Sequence, residues 1–175
     1  YFEPLAELIV SAYAGHIDSR LNDQYATRAG ALKFLKNIVV FPGCGVFQPD
    51  ASFVAFAEPR GVPRLRSLRL RSGQAGRAGQ EGPSSLFPST SLRTSRASHW
   101  VGRREESGPL AGALLVSRVA PRVGHITQVC VRRELQGSGL GRRLLARAVE
   151  TLEQKGYEGV SLSVTADNHP AVRLY

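Results

Sequence analysis

The first forty residues carry two helical patterns. Apolar residues occur at i, i+3, i+4, i+7 and i+8 in a first stripe, which consists of Leu5, Leu8, Ile9, Ala12 and Tyr13. This spacing predicts one amphipathic helix that ends near Gly15. A second stripe of Ala31, Phe34, Leu35 and Ile38 predicts another helix, with Thr27 as its N-cap.

Strand patterns follow the helices. Residues 51–57 and 110–116 are short, mostly apolar runs, and residues 125–131 are rich in β-branched residues. Each of the three segments predicts a strand. The strand at 125–131 leads into a glycine-rich turn and a helix whose apolar face begins at Leu140. A further strand is expected at 159–165, and Pro170 suits the first turn of a last helix.

Residues 59–107 interrupt this order. They hold nine Ser, six Gly, four Pro and ten Arg, and few apolar residues to offset the entropy cost of ordering. We interpret them as a disordered insertion in one domain that spans residues 1–175. Without it, residues 53–56 and 110–115 would join as a short antiparallel hairpin.

The charge is concentrated in the same segment. The net charge is +9, and ten Arg against three Glu in 59–107 supply +7 of it. A basic segment favours a nucleic-acid-binding module as an alternative function, but Phe87 and Trp100 are a thin set of aromatic rings for stacking on bases. A gene-model artefact is a further interpretation of this segment.

Composition bears on membrane association, on the state of the cysteines and on cellular location. No apolar run reaches the roughly 20 residues of a membrane helix, so no membrane partner is expected. Two distant cysteines, Cys44 and Cys130, make no disulfide framework, which favours reduced thiols and a cytoplasmic location. The absence of Met predicts that the chain is a fragment.

The turn at 136–141 has the composition of a phosphate cradle. Glycines allow close approach of the backbone, and the first N–H groups of a helix are free to bind an anion. A Walker loop would need a Lys that is missing here. A Rossmann turn would place its third glycine one residue later than Gly141. A simple tight turn remains open on this pattern alone.

The downstream sequence resembles the GNAT superfamily of acetyl-CoA-dependent N-acetyltransferases. The matching features are Gln136-x-x-Gly139-x-Gly141 and Asn168-x-x-Ala171-x-x-Leu174-Tyr175, in that order. The resemblance implies an α/β (α+β) fold with a mixed, mostly antiparallel central sheet, flanking helices and a splayed parallel strand pair. It also implies further C-terminal strands beyond Tyr175, which this chain lacks.

The resemblance implies a site as well as a fold. Acetyl-CoA, as co-substrate, would lie between residues 127–131 and 162–165, with the main chain of Val129 and Val131 on the pantetheine arm. Val129 N–H would polarise the thioester carbonyl, and Tyr175 would protonate the departing thiolate. The remaining cofactor-binding residues would be Gln136, Gly137, Ser138, Gly139, Leu140, Gly141, Arg142 and Asn168.

The acceptor side is less defined. Many relatives carry a Glu as base where this chain has Thr127, so His125 or a water relay are the alternatives. The loop after the first helix would line the acceptor pocket, with His16, Asp18, Asn22, Asp23 and Tyr25 as polar candidates. Its carboxylates would favour a cationic amine, whereas a solvated turn is an equal reading.

The expected function is therefore transfer of the acetyl group of acetyl-CoA to a primary amine by direct attack. A non-catalytic acyl-CoA-binding module is the second alternative, beside nucleic-acid binding. No metal is expected, since no metal-ligand spacing surrounds His125. A homodimer is left open.

Overall fold

The computed structural model of the protein describes residues 1–58, 61–68 and 108–175, and its helices form where the stripes and caps predict them. The helices are α1 (Phe2–Ala12), α2 (Ile17–Leu21), α3 (Asp23–Ala26), α4 (Arg28–Val39), α5 (Leu140–Gln154) and α6 (His169–Leu174). The polar stretch between the two predicted N-terminal helices thus forms two short helices of its own.

Thr27 begins α4 as the sequence predicts. Its Oγ1 accepts a hydrogen bond from the N–H of Gly30 at 3.0 Å and donates one to Asp23 Oδ1 at 2.9 Å. The hydroxyl therefore satisfies one free N–H of the helix start and connects α4 to α3.

Replacing Thr27 with Ala should lower the free energy of unfolding by about 1 kcal/mol, because an N–H of the helix start loses its partner. Urea unfolding followed by circular dichroism measures this change. Thr27→Ser keeps the hydroxyl and should stay close to the unmodified chain. Equal unfolding midpoints for the Ala and Ser variants would contradict the capping role.

One mixed sheet crosses the described part of the chain. Its strands are β1 (Val46–Phe47), β2 (Phe53–Phe56), β3 (Arg64–Ser67), β4 (Leu110–Ala120), β5 (Val123–Val131) and β6 (Gly159–Leu162). The strand order is β3-β2-β4-β5-β6, and β1 pairs with β4. Only β5 and β6 pair in parallel; the other pairs are antiparallel. The predicted fold class is confirmed.

The sheet buries a core on each face. The first contains residues of α1 and α4 against the sheet: Leu5, Leu8, Ile9, Ala31, Leu35, Ile38, Val54, Leu115 and Cys130. The second contains the apolar face of α5: Leu140, Leu144, Ala148 and Leu152, with Phe53, Leu114, Val116 and Ile126. Both amphipathic patterns of the sequence therefore point to the sheet, one from each side.

A bulge in β5 changes which face its side chains meet. Leu115 pairs with Gln128, and the next residue, Val116, pairs with Ile126, so Thr127 is the extra residue. Before the bulge, Ile126 packs in the α5 core. After it, Cys130 packs on the α1 and α4 side, while Val129 packs against the α5 core. The bulge lies where the parallel pairing ends, at Ile126 with Leu162.

The segment at 59–107 is partly different from its prediction. Residues 64–67, assigned to the disordered insertion, form β3 on the edge of β2. Arg64 and Arg66 are exposed, Leu65 is half-buried and Leu68 is buried. Leu65 packs against the α5 core and Leu68 packs in the α1 and α4 core, so the apolar residues of this segment do not follow a period of two that would indicate a strand in the sequence. Residues 59–60 and 69–107 lie outside the described residues, and so does the prediction for them.

Two other boundaries differ. The predicted strand at 159–165 ends at Leu162, because its partner β5 turns away after the bulge and no ladder continues. The short strand β1 was not predicted, since two residues carry no periodicity. Both cysteines are free, and none of the helices in the described ranges has the length and apolar character needed to cross a membrane.

Candidate active site

A cavity of about 760 Å³ opens where β5 and β6 separate. Its walls come from the second half of β5, residues 163–165, the start of α5, the last helix α6 and the loop between α1 and α3. The predicted site residues that line it are Asn22, Tyr25, Val129, Val131, Gln136, Gly137, Gly139, Gly141, Arg142, Asn168 and Tyr175, together with His16 and Asp18. The structure thus brings most predicted residues to one cavity.

The glycine-rich turn forms one end of this cavity. Gly137 and Gly139 have φ of +78° and +80°, a left-handed conformation that other residues rarely adopt. Gly139 is the N-cap of α5, and no side chain caps the first N–H groups of that helix. These N–H groups, at the positive end of the helix dipole, are therefore available to an anion. Arg142 adds a positive charge to the same wall.

Three predicted residues of this turn have side chains that pack against or hydrogen-bond to other parts of the protein. Leu140 is buried in the α5 core, so only its main chain can serve the site. Ser138 donates its hydroxyl proton to the Leu135 carbonyl at 2.6 Å and does not line the cavity. Gln136 Nε2 donates to the carbonyls of Ala12 at 3.2 Å and Val131 at 3.1 Å. Gln136 therefore connects α1 to β5.

The main chain of β5 faces the cavity through alternate residues. Val129 carbonyl accepts hydrogen bonds from Tyr13 hydroxyl at 3.3 Å and from Gln128 Nε2 at 3.4 Å. A residue in an antiparallel ladder directs its N–H and C=O to the same side. Val129 N–H thus points toward the side from which Tyr13 approaches, away from β4.

The last helix supplies Asn168 and Tyr175. Asn168 Oδ1 accepts the N–H of Ala171 at 3.2 Å and so caps α6. Tyr175 lines the cavity with 45% of its surface exposed. Burial of the rest raises the pKa of Tyr175 above the ordinary phenol value, and nearby Tyr25 adds to this shift. Tyr175 therefore stays protonated at neutral pH and can donate a proton.

The opposite end of the cavity is built from the loop after α1. The rings of Tyr13 and Tyr25 stack with centroids 4.2 Å apart. Asp18 is 7% exposed and accepts a hydrogen bond from Thr165 Oγ1 at 2.6 Å. His16 Nδ1 lies 3.2 Å from Asp18 Oδ2. A buried carboxylate therefore faces the cavity among aromatic rings.

The other residues considered for the acceptor side lie outside this cavity or already have hydrogen-bond partners in the protein. His125 does not line this cavity; its Nδ1 lies 2.9 Å from Ser161 Oγ, and it borders a separate, smaller cavity beside Cys44. Thr127 donates its hydroxyl proton to the Leu115 carbonyl at 3.2 Å. Asp23, a predicted acceptor residue, accepts from Thr27 and lies outside the cavity wall.

Several residues of the cavity wall were not predicted from the sequence. Tyr13 was assigned to the apolar stripe of α1, yet its hydroxyl reaches Val129, and burial raises its pKa. Gln128 is buried and donates to Tyr13 at 3.2 Å. Thr165 was assigned to a strand end. A polar tip on an apolar stripe was the available signal for Tyr13.

Among residues 1–58, 61–68 and 108–175, no cluster of three or more His, Cys, Asp and Glu side chains is placed to hold a metal ion. The cavity combines the glycine-rich turn and the uncapped start of α5 at one end with a carboxylate and hydroxyl groups at the other.

Fold and cavity define a mixed α/β protein in which a glycine-rich turn and an uncapped helix start open onto a parallel strand pair that separates. The family model described as "Acetyltransferase (GNAT) family" matches residues 64–175, which is more than half of the chain. The chain therefore belongs to the acetyltransferase (GNAT) family, and the resemblance seen in the sequence is confirmed.

Individual relatives match shorter segments. Mycothiol acetyltransferase of Arthrobacter sp. (strain FB24) is 44% identical over 55 residues, 31% of this chain and 17% of the relative. Mycothiol acetyltransferase of Brachybacterium faecium is 38% identical over 79 residues, 43% of this chain and 23% of the relative. The matches thus span about a fifth of the length of these relatives. Among solved structures, IAA acetyltransferase from Bacillus cereus ATCC 14579 is 28% identical, with a TM-score of 0.38, over 39% of this chain and 45% of that one.

Proposed function

We propose that this chain transfers the acetyl group of acetyl-CoA to a primary amine by direct attack, within the domain formed by residues 1–175. The observation that carries the proposal is the single cavity that runs from the uncapped start of α5 to Tyr175 between the separated ends of β5 and β6. The family membership supports the acyl-transfer chemistry.

The glycine-rich turn is proposed to bind the pyrophosphate of acetyl-CoA. Main-chain N–H groups from Gly137 to Arg142 would donate to the phosphate oxygens, and the Arg142 guanidinium would add charge. The fit is supported by Gly137 and Gly139, where an added Cβ would meet no protein atom within 4 Å. Space for a ligand therefore lies directly beside this backbone.

The main chain of β5 is proposed to hold the pantetheine arm and the thioester. Val129 and Val131 would bind through their N–H and C=O groups, and Val129 N–H would donate to the carbonyl oxygen as negative charge develops on it. The Val129 carbonyl already accepts hydrogen bonds from Tyr13 and Gln128. We therefore assign the contact with the thioester to the Val129 N–H. Asn168, whose Oδ1 caps α6, would contact the pantetheine through its amide nitrogen.

Tyr175 is proposed to be the general acid. The attack forms a C–N bond and breaks the C–S bond, and the Tyr175 hydroxyl would give its proton to the departing thiolate. The proton lost by the acylated nitrogen would then restore the phenol. Its raised pKa keeps this donor protonated across the neutral range.

Calorimetry with acetyl-CoA tests the donor half of the proposal, and release of free thiol over a panel of primary amines tests the transfer. We expect a one-to-one complex and amine-dependent thiol release. A chain that is folded by circular dichroism but shows no heat of binding with acetyl-CoA would overturn the proposal.

Removing residues 59–107 should leave the acetyl-CoA complex intact. Ala57 N–H donates to the Pro109 carbonyl at 2.9 Å, so joining Glu58 to Gly108 closes a two-residue hairpin between β2 and β4. The deletion also removes β3 and the buried Leu68, and we expect it to lower the melting temperature by several degrees. Leu68 lies beside the start of β2 and Gly108 beside its end, so a variant in which a flexible glycine-serine linker replaces residues 69–107 keeps β3 and is the matched control. Loss of acetyl-CoA binding in both variants would contradict the interpretation as an insertion.

A further inference from the structure

The cavity has ionisable side chains on every wall, and few of them can accept a proton. They are Tyr13, His16, Asp18, Tyr25, Cys130, Arg142, Arg173 and Tyr175. Burial raises the pKa of each of the three tyrosines, and raises that of the Cys130 thiol to about 12. All four therefore keep their protons near neutral pH, and the two arginines are permanently charged. This leaves His16 and Asp18 as proton acceptors.

Asp18 has the features of a cation-binding carboxylate. Only 7% of the surface of Asp18 is exposed. No Lys or Arg of the described residues lies within 4 Å of it; His16 and Thr165 are its side-chain partners there. A buried carboxylate without a permanent cation is stabilised by a cation that enters from the cavity.

His16 Nδ1 lies beside one hydrogen-bond donor and one acceptor of Asp18. When its ring is neutral, Nδ1 accepts the N–H of Asp18 at 3.2 Å. When Nδ1 is protonated, it can donate to Asp18 Oδ2, also at 3.2 Å. Histidine is the side-chain type that gains and loses a proton near neutral pH, and both products of such a transfer are provided with hydrogen bonds here.

We propose that Asp18 and His16 bind the ammonium group of the acceptor and take its proton, so that the acceptor is a cationic primary amine. The inference rests on the proposed acetyl transfer. The Asp18 carboxylate pairs with the ammonium, one N–H bond of the ammonium breaks, and the proton passes to His16 Nδ1. The freed lone pair attacks the thioester carbon, the C–S bond breaks, and the thiolate takes a proton from Tyr175. The acylated nitrogen then loses its second proton to the Tyr175 phenolate, which restores the phenol and leaves the neutral amide. Thr165 is a positioning residue that holds Asp18 through its hydroxyl.

The binding test uses 1,4-diaminobutane as probe and 1,4-butanediol as its uncharged match, titrated into the full chain saturated with CoA. We expect the diamine to bind at least tenfold more tightly than the diol. Asp18→Asn should weaken diamine binding at least tenfold and leave the acetyl-CoA dissociation constant unchanged. Asp23→Asn removes a carboxylate from the same loop outside the cavity and should change neither value.

The kinetic test separates proton transfer from binding. With the diamine as acceptor, kcat/KM of the unmodified chain should level off at lower pH than the ionisation of the free amine. In His16→Gln, kcat/KM at pH 7 should fall about 10²-fold and then rise tenfold per pH unit up to about pH 10, because only amine already neutral in solution reacts. A purely structural role of His16 would lower the rate without changing the shape of this profile.

Three results would overturn the assignment: equal affinity of the unmodified chain for diamine and diol, unchanged diamine affinity in Asp18→Asn, or a His16→Gln profile parallel to that of the unmodified chain. Each is compatible with normal acetyl-CoA binding, in which case the proposed acetyl transfer stands and only the acceptor assignment fails. Absence of acetyl-CoA binding would remove both.

Discussion

Tyr175→Phe should lower kcat for thiol release by about 10²- to 10⁴-fold. The substitution removes one hydroxyl and keeps the ring, so the cavity wall retains its shape and the acetyl-CoA dissociation constant should remain the same. Without the hydroxyl, the departing thiolate must leave as an anion or take its proton from water. Calorimetry with acetyl-CoA and stopped-flow detection of free thiol measure the two quantities on the same sample.

Tyr157→Phe is the matched control for this substitution. Tyr157 is also partly buried, and its hydroxyl donates to Gln48 Oε1 at 3.0 Å, but it lies outside the cavity wall. Removing the Tyr157 hydroxyl should lower the free energy of unfolding by about 1 kcal/mol and leave kcat unchanged. Equal kcat values for both variants and the unmodified chain would show that Tyr175 is not the acid, and equal losses would indicate a general effect of removing a buried hydroxyl.

The sequence predicts best where local chemistry decides the structure. Thr27 caps its helix because a hydroxyl three residues before a free N–H needs no distant partner. In the apolar stripe of α5, Leu140, Leu144, Ala148 and Leu152 are buried and Leu145 is half-buried, because the period of 3.6 residues leaves one face for the sheet. The turn from Gly137 to Gly141 was found for the same reason, since positive φ at two glycines is a property of the turn alone.

Features that depend on a distant partner were missed. The bulge at Thr127 arises from the register between β4 and β5, and no residue type in the strand predicts it. The bulge shapes the candidate site, because it directs Val129 and Val131 to the α5 side and lies where the pairing of β5 with β6 ends. The contact of Asp18 with Thr165 joins residues 147 positions apart, so the sequence could name Asp18 as a polar candidate but could not distinguish it from Asp23.

Gly139→Ala should weaken acetyl-CoA binding at least tenfold, which corresponds to about 1.4 kcal/mol. Gly139 has φ of +80° at the start of α5. An added Cβ meets no protein atom within 4 Å at a residue that lines the cavity, so the methyl group would occupy ligand space. The left-handed conformation also costs Ala about 1–2 kcal/mol, and relief of that strain would turn the first N–H groups of α5 away from the phosphate oxygens. Calorimetry with acetyl-CoA and urea unfolding measure the two effects separately.

Gly156→Ala is the matched control, because it introduces the same backbone strain at a residue outside the cavity. Gly156 follows α5 at its other end, has φ of +75°, and also leaves room for a Cβ. It does not line the cavity, so its substitution should lower stability by a similar amount and leave the acetyl-CoA dissociation constant unchanged. The difference in affinity between the two variants isolates the contribution of the turn to ligand binding, because the conformational cost is common to both. Equal affinities in the two variants would mean that this backbone does not bind the pyrophosphate, and the donor half of the proposed site would have to lie elsewhere along β5.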